Sequence, residues 1–354
     1  MATAPTLEEQ LRGLTREADP ALIRHQPDGK IRCLACGHRC LVGPGRSGVC
    51  RVRFNEDGHL RVPSGYVAAI AVDPVEKKPF FHCLPGAEAL SFGMLGCDLH
   101  CSYCQNWLTS QALRDPAAVA PIRPMSAEQI VNAAVAHHAP LVVSTYNEPL
   151  ITSEWAVEVF TRASAEGLRC AYVSNGNATP EVLDYLAPHL TAYKVDLKTF
   201  NDASYRRLGG VLSNVLETIK GVYARGIWLE VVTLVVPGLN DSPAELRQMA
   251  RFLASISPDI PWHVTAFHSD YQMNDRGNTP REALMAAAQL GREEGLKYVY
   301  AGNLPLEGQG LEDTRCPVCQ TTLIRRRGFR ITENILPPNG LCPTCKTSQP
   351  GVWA

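Results

Sequence analysis

The sequence predicts an α/β protein: a partial (β/α)6 barrel between a small Cys-rich N-terminal segment and a zinc-ribbon-like C-terminal segment. Three observations predict it. Short apolar runs alternate with helical stretches from Leu90 to about Pro305. Helix start and stop signals bracket those stretches. Eleven of the thirteen cysteines fall into three tight groups, one at the start of the alternation and one on either side of it.

The chain opens on a short helix within residues 1–28. Thr6 with Glu9 makes a capping box, and Leu7, Leu11 and Leu14 share one face of 6–18. Residues 29–62 are rich in Gly and Cys. Residues 63–89 read as a connector with turn signals at both ends. In the barrel segment, 90–305, the strands are "ALSFGML", "LVVSTY", "CAYVSN", "AYKVDL", "LEVVTLVV", "WHVTAF" and "KYVYAGN". Ser126, Thr179, Ser242 and Thr279 are placed as N-caps of the helices between them. The Gly of "AEG", "ARG" and "EEG" is placed as a stop. Repeated strand–helix alternation gives a parallel sheet covered by helices, with its chemistry at the C-terminal strand ends. Residues 306–354 form the last segment.

Lys and Arg number 34 against 35 Asp and Glu, a net charge of −1. That balance gives no general grip on nucleic acid or membrane. No apolar run approaches the roughly 20 residues that span a bilayer, and no secretory leader is apparent, so the expected compartment is the cytoplasm. In a reducing compartment thirteen cysteines suggest metal ligands before disulfides. Cys83 and Cys170, outside the groups, read as buried apolar thiols.

"GCDLHCSYCQNW" at 96–107 holds Cys97, Cys101 and Cys104 on the loop after the first barrel strand. Three thiolates can hold three irons of a [4Fe–4S] cluster and leave the fourth iron open to a small molecule. The alternative is a four-ligand site completed by a distant Cys or by His100. Cys316-Pro-Val-Cys319 and Cys342-Pro-Thr-Cys345 are two knuckles that fit a closed, structural zinc site. Cys33, Cys36, Cys40 and Cys50 fit zinc or an auxiliary cluster. "RRR" at 325–327 reads as a solvated, charged hairpin.

CxxxCxxC with an aromatic before the last Cys, here Tyr103, resembles the radical SAM superfamily. That resemblance implies a TIM-type partial barrel, a [4Fe–4S] cluster and S-adenosylmethionine (SAM). The cluster cleaves SAM reductively to a 5′-deoxyadenosyl radical that abstracts hydrogen from a substrate. Further motifs fall in the family's order. Glu148 of "STYNEP" matches the acid that receives the SAM amino group, although Tyr146 and Asn147 stand where the family has glycines. Ser174 and Asn175 of "VSNG" match positions lining the SAM site in glycyl-radical-enzyme activases. Asp196 and Lys198 of "KVDLK" match the activases' Asp-Leu-Lys beside SAM and substrate. The bland readings are a loop acid, a turn and chance alternation. His263 and His268 read as satisfied histidines. "DPVEKKPFFHCLPG", "TYNEP", "PWHVTAFHSDYQM" and "CPTCKTSQPGVWA" resemble more narrowly the radical SAM member of the AmmeMemoRadiSam system, related to pyruvate formate-lyase activating enzymes. The narrower resemblance implies Memo-like and AMMECR-like partners and a flavodoxin- or ferredoxin-like electron donor. The competing function is a zinc-ribbon nucleic-acid-binding module with an electron-transfer cluster. The two cysteine-rich ends are expected to cover the barrel mouth.

Overall fold

The structure is a computed structural model that describes residues 6–304 and 310–354. Its centre is one eight-stranded sheet. We number its strands β1 Ala69–Pro74, β2 Glu88–Gly93, β3 Leu141–Ser144, β4 Arg169–Ser174, β5 Ala192–Asp196, β6 Trp228–Val235, β7 Trp262–Ala266 and β8 Val299–Gly302. The spatial order is the chain order. β2 to β8 run parallel, and β1 pairs antiparallel with β2. Helices α1 Ala127–Ala136, α2 Ser153–Ala165, α3 Pro180–Leu186, α4 Leu212–Ala224, α5 Pro243–Ile256 and α6 Arg281–Glu293 fill the crossovers.

Alternation along each strand separates the two faces. Leu90, Phe92, Val142, Cys170, Tyr172, Tyr193 and Val195 pack with the helices in the main core. Their neighbours Ala89, Leu141, Val143, Ala171 and Ala192 pack on the other side, into the barrel. A sheet that adds each new strand beside the last, with its helices on one face, curls into a barrel.

The strand count departs from six: seven strands are parallel and an eighth is antiparallel. "KYVYAGN" supplies the seventh parallel strand, β8, and the connector supplies the antiparallel β1. Every residue of β1 is half-buried, so its burial does not alternate, and pairing with β2 is what makes it a strand. The opening helix is also shorter than expected, Leu7–Arg12, because the chain leaves the helix at Gly13 and turns into a short strand at Thr15–Glu17. Ser126, Thr179 and Ser242 cap their helices through side-chain oxygens. Thr279 does not; its hydroxyl donates to Val235 O and accepts from Phe267 N at 2.8 Å, tying β7 to β6. The segment boundary expected at 305/306 lies outside the described residues.

The two cysteine-rich ends sit at opposite ends of the barrel, which corrects the expectation that both cover its mouth. Val75, Phe80, Cys83 and Val352 pack against Ala89, Leu141 and Ala192, at the strands' starting ends. Buried Glu230 accepts from the Phe81 and His82 amides, and Leu84 N donates to Val352 O at 2.7 Å. Arg326 reaches this loop from the last segment. It pairs with Glu76, both side chains fully buried, and donates to Phe81 O at 2.8 Å. So the middle arginine of "RRR" is an internal anchor, whereas Arg325 pairs with Glu333 on the surface. The early segment docks on α2 and α3 instead. Arg53 forks onto Glu154 with two 2.7 Å bonds, Gly37 N donates to Asn177 O at 2.8 Å, and Arg39 pairs with Glu181.

Candidate functional site

The loop after β2 carries Cys97, Cys101 and Cys104 past the C-terminal end of the sheet. Gly93 lets it form: a Cβ there would lie 2.3 Å from Thr145 O, so only glycine allows the β3 loop to close on β2. The three thiols sit in an apolar cluster with Leu99, Tyr103, Leu208, Val236 and Phe267. The Leu99 amide lies 3.3 Å from Cys97 Sγ, and Ser110 Oγ 3.1 Å from Cys104 Sγ. Burial pushes all three thiols up, Cys101 to about 12. Thiols so placed stay protonated until a metal binds and displaces the proton. A dry pocket, three sulfurs and N–H···S contacts fit an iron–sulfur cluster.

Glu148 follows β3, two residues after Tyr146, which holds a left-handed φ of 71°. Its carboxylate is buried and accepts from Ser174 Oγ at 2.7 Å, Asn175 N at 2.8 Å and Leu150 N at 3.1 Å. None of these partners is a cation. Burial first, then the charge of Asp98, raises its pKa to about 8. Asn175 turns its amide the other way, 2.7 Å from Asp98 Oδ1 and 3.9 Å from Cys97 Sγ. The ends of β2, β3 and β4 therefore bring Cys97, Glu148, Ser174 and Asn175 together.

Asp196 and Lys198 end β5 on the other side of the cysteine loop. Asp196 is shared by Lys194 and Lys198, the latter at 3.2 Å. Burial would raise its pKa, but the two ammonium groups outweigh that and hold it at about 2. The charge of Lys198 opposes, without reversing, the burial that raises the Cys101 and Cys104 thiols and the Tyr103 hydroxyl. His268 is exposed and bonds Gln105 Nε2 at 2.9 Å, next to Cys104. His263 lies deeper, 2.7 Å from Glu230 and stacked on Tyr300, a satisfied core histidine.

Sequence reasoning missed Asp98 and Lys194. Asp98 is fully buried and accepts from both Asn175 and Asn177. It sits inside the cysteine motif, where spacing alone gives it no distinction. Lys194 lies within an apolar run and looks like ordinary alternation. Its signal was available: a lysine flanked by "AY" and "VD" in a strand buried on both faces needs a partner.

The four late sulfurs lie within 4.8 Å of one another, with Cys316–Cys345 at 3.5 Å and Cys319–Cys342 at 3.6 Å. Thr347 holds Cys345 down at about 6, and Thr321 lowers Cys319. This is a cysteine site capable of holding a metal ion.

Comparison with known proteins agrees with this geometry. The profile of the radical SAM superfamily matches residues 93–253. An uncharacterized protein of Methanocaldococcus jannaschii is 37% identical over 304 residues, 85% of this chain and 89% of that one. The chain contains a radical SAM superfamily domain. As a radical SAM protein it is an enzyme of iron–sulfur and SAM-related chemistry. The isethionate sulfite-lyase activating enzyme of Desulfovibrio desulfuricans is 26% identical over 124 residues, 34% of this chain and 39% of that enzyme. The crystal structure of a radical SAM methyltransferase from Sphaerobacter thermophilus aligns at TM-score 0.49 and 15% identity, over 82% of this chain and 78% of that one. Among the described residues no helix is long and apolar enough to cross a membrane.

Proposed function

We propose that this radical SAM enzyme holds a [4Fe–4S] cluster on Cys97, Cys101 and Cys104 and acts as an activating-type enzyme on a group carried by a protein partner. The observation that carries the reading is Glu148: a buried carboxylate beside a second buried acid, with only neutral donors as partners. Such a group favours a cation next to it, and the amino group of SAM is one. When bound, the cluster and SAM supply reductive cleavage to methionine and a hydrogen-abstracting 5′-deoxyadenosyl radical.

The chain's own residues hold and orient. Ser174 and the Asn175 amide fix the Glu148 carboxylate. Tyr103, Leu99 and Phe267 keep the cysteine loop dry. Asp196 and Lys198 face the far side of that loop and serve substrate and adenosyl group, with Asp196 kept ionised by two lysines. The late four cysteines hold structural zinc, the core of a zinc ribbon. The similarity to an activating enzyme supports a protein as the target. A flavodoxin- or ferredoxin-like donor supplies the electron, and Memo-like and AMMECR-like proteins of the AmmeMemoRadiSam system are the proposed companions, all in the cytoplasm.

The test is 5′-deoxyadenosine formation by the anaerobically reconstituted, dithionite-reduced chain. The Cys97→Ala, Cys101→Ala, Cys104→Ala triple variant should form none. A triple variant that still forms it would overturn the assignment. Deuterium passing from a labelled candidate partner into 5′-deoxyadenosine would identify the target.

A further inference from the structure

The early cysteines and the late ones offer the same four sulfurs in two different geometries. Zn–S bonds of about 2.3 Å in a tetrahedron put the sulfurs about 3.8 Å apart. The late group meets this, at 3.5 and 3.6 Å. Among the described residues it is the only set of three or more His, Cys, Asp or Glu whose ligand atoms all lie within 4.8 Å of one another. No three of the early four sulfurs lie within that distance of one another, and the same holds for Cys97, Cys101 and Cys104. They are nevertheless gathered. Cys33 N donates to Cys40 O at 2.9 Å, the Val49 amide lies 3.4 Å from Cys40 Sγ, and Cys36, Cys40 and Cys50 all lie within the field of Cys33.

The backbone differs too. In both late knuckles the residue after the second cysteine adopts a left-handed φ and donates back to the first cysteine's carbonyl. Gln320 N reaches Cys316 O at 3.0 Å and Lys346 N reaches Cys342 O at 2.9 Å. The early pair does not close in this way. Gly37 N donates to Asn177 O of the barrel at 2.8 Å instead. Beside Cys33 and Cys50 stands the guanidinium of Arg53, whose buried Nε has no partner. Its charge is paired with Glu154, and the spare N–H leaves room for one more negative partner, which a sulfur-rich group on these cysteines supplies.

We propose that Cys33, Cys36, Cys40 and Cys50 bind an iron–sulfur cluster and not zinc. Cysteines that ligate separate irons stand farther apart than cysteines on one ion, and N–H···S contacts and burial are the features that tune such clusters. The late group serves as the pattern of a zinc site in this same chain. The site lies against the cysteine loop of the mouth: His38 Nε2 is 3.1 Å from Asp98 O, and the Asp98 carboxylate raises the Cys36 thiol.

The decisive experiment is metal analysis of the full chain, purified anaerobically and reconstituted with iron and sulfide. The Cys97→Ala, Cys101→Ala, Cys104→Ala variant should keep about half of the parent's iron, with matching sulfide and unchanged zinc. Its visible absorbance should bleach with dithionite and not respond to SAM. Adding Cys33→Ser and Cys36→Ser should remove the remaining iron. An iron-free triple variant, with zinc or nothing at the early site, would overturn the proposal. A parent that fails to cleave SAM while the triple variant keeps its iron would count against the radical reading alone.

Discussion

Glu148 is held in a state that costs the free protein something. Its ordinary carboxyl pKa is 4.5 and burial raises it to about 8 in the fold. Between those values the folded state keeps a proton that the unfolded state has lost, so stability falls as pH rises from about 4.5 to 8. In Glu148→Gln this slope should flatten, measured by urea unfolding of the SAM-free chain at pH 5 and pH 8. The same variant should bind SAM about 10-fold or more weakly, because a charge-assisted hydrogen bond becomes a neutral one; equilibrium dialysis reads this directly. A gain in stability with a loss of binding would mark a carboxylate kept for its ligand. Lys198 should behave differently. Lys198→Ala should impair substrate turnover more than uncoupled SAM cleavage, since its nearest charge is Asp196 and not Glu148. Equal losses in the two assays would place it in the SAM site alone.

At the scale of elements, the early cysteine segment depends on one internal ion pair. Arg53 and Glu154 are each 2% exposed and meet through two 2.7 Å bonds. Removing one partner of such a pair leaves a buried charge uncompensated, about 3–5 kcal/mol. Arg53→Met should therefore lower the unfolding free energy by roughly that amount. The Arg53→Met, Glu154→Leu double variant should recover much of the loss. Failure to recover would show that Arg53 matters more for the cysteines beside it than for Glu154. Gly37 sets a second contact. A Cβ there would fall 2.3 Å from Asn177 Oδ1 and 2.5 Å from Asn214 Nδ2, so any side chain at this position would displace both amides from the contact with the loop after β4.

For the whole molecule, the C-terminus is a plug in the bottom of the barrel. His82 joins it there, its Nδ1 2.7 Å from Pro350 O and its Nε2 2.6 Å from the Tyr300 hydroxyl. Burial depresses its pKa from 6.5 to about 4, against the pull of Glu230. A neutral buried histidine contributes stability that is present above 6.5 and lost as pH falls toward 4, because the unfolded chain takes up the proton first. This contribution opposes that of Glu148, so the difference between proteins is the test: on going from pH 7 to pH 5 the melting temperature of His82→Gln should fall less, or rise more, than that of the parent. The late four-cysteine site, proposed to hold zinc, lies at the same end. Cys342→Ser should lose about one zinc per chain by metal analysis and loosen the plug, since structural zinc contributes folding energy directly.

What the sequence determined by itself was whatever depends on local spacing. Strand–helix alternation, three helix caps and the grouping of cysteines are all written within a few residues of one another. Glu148, Asp196 and Lys198 were singled out because "STYNEP" and "KVDLK" resemble family motifs, and each stands at or just past the end of an apolar run. What only the tertiary structure decided was everything that depends on partners far along the chain. β1 is a strand because β2 supplies its hydrogen bonds. Asp98 becomes a brace because Asn175 and Asn177 arrive 77 and 79 residues later. Arg326 is an anchor and not a surface charge because Glu76 lies 250 residues before it. The two cysteine-rich ends were assigned to one face because they flank the barrel in sequence. The fold sends them to opposite ends, because Glu230 and the small inner residues of the strand starts leave room for one plug, and Glu154 and Asn177 on the outer helices and loops bind the other.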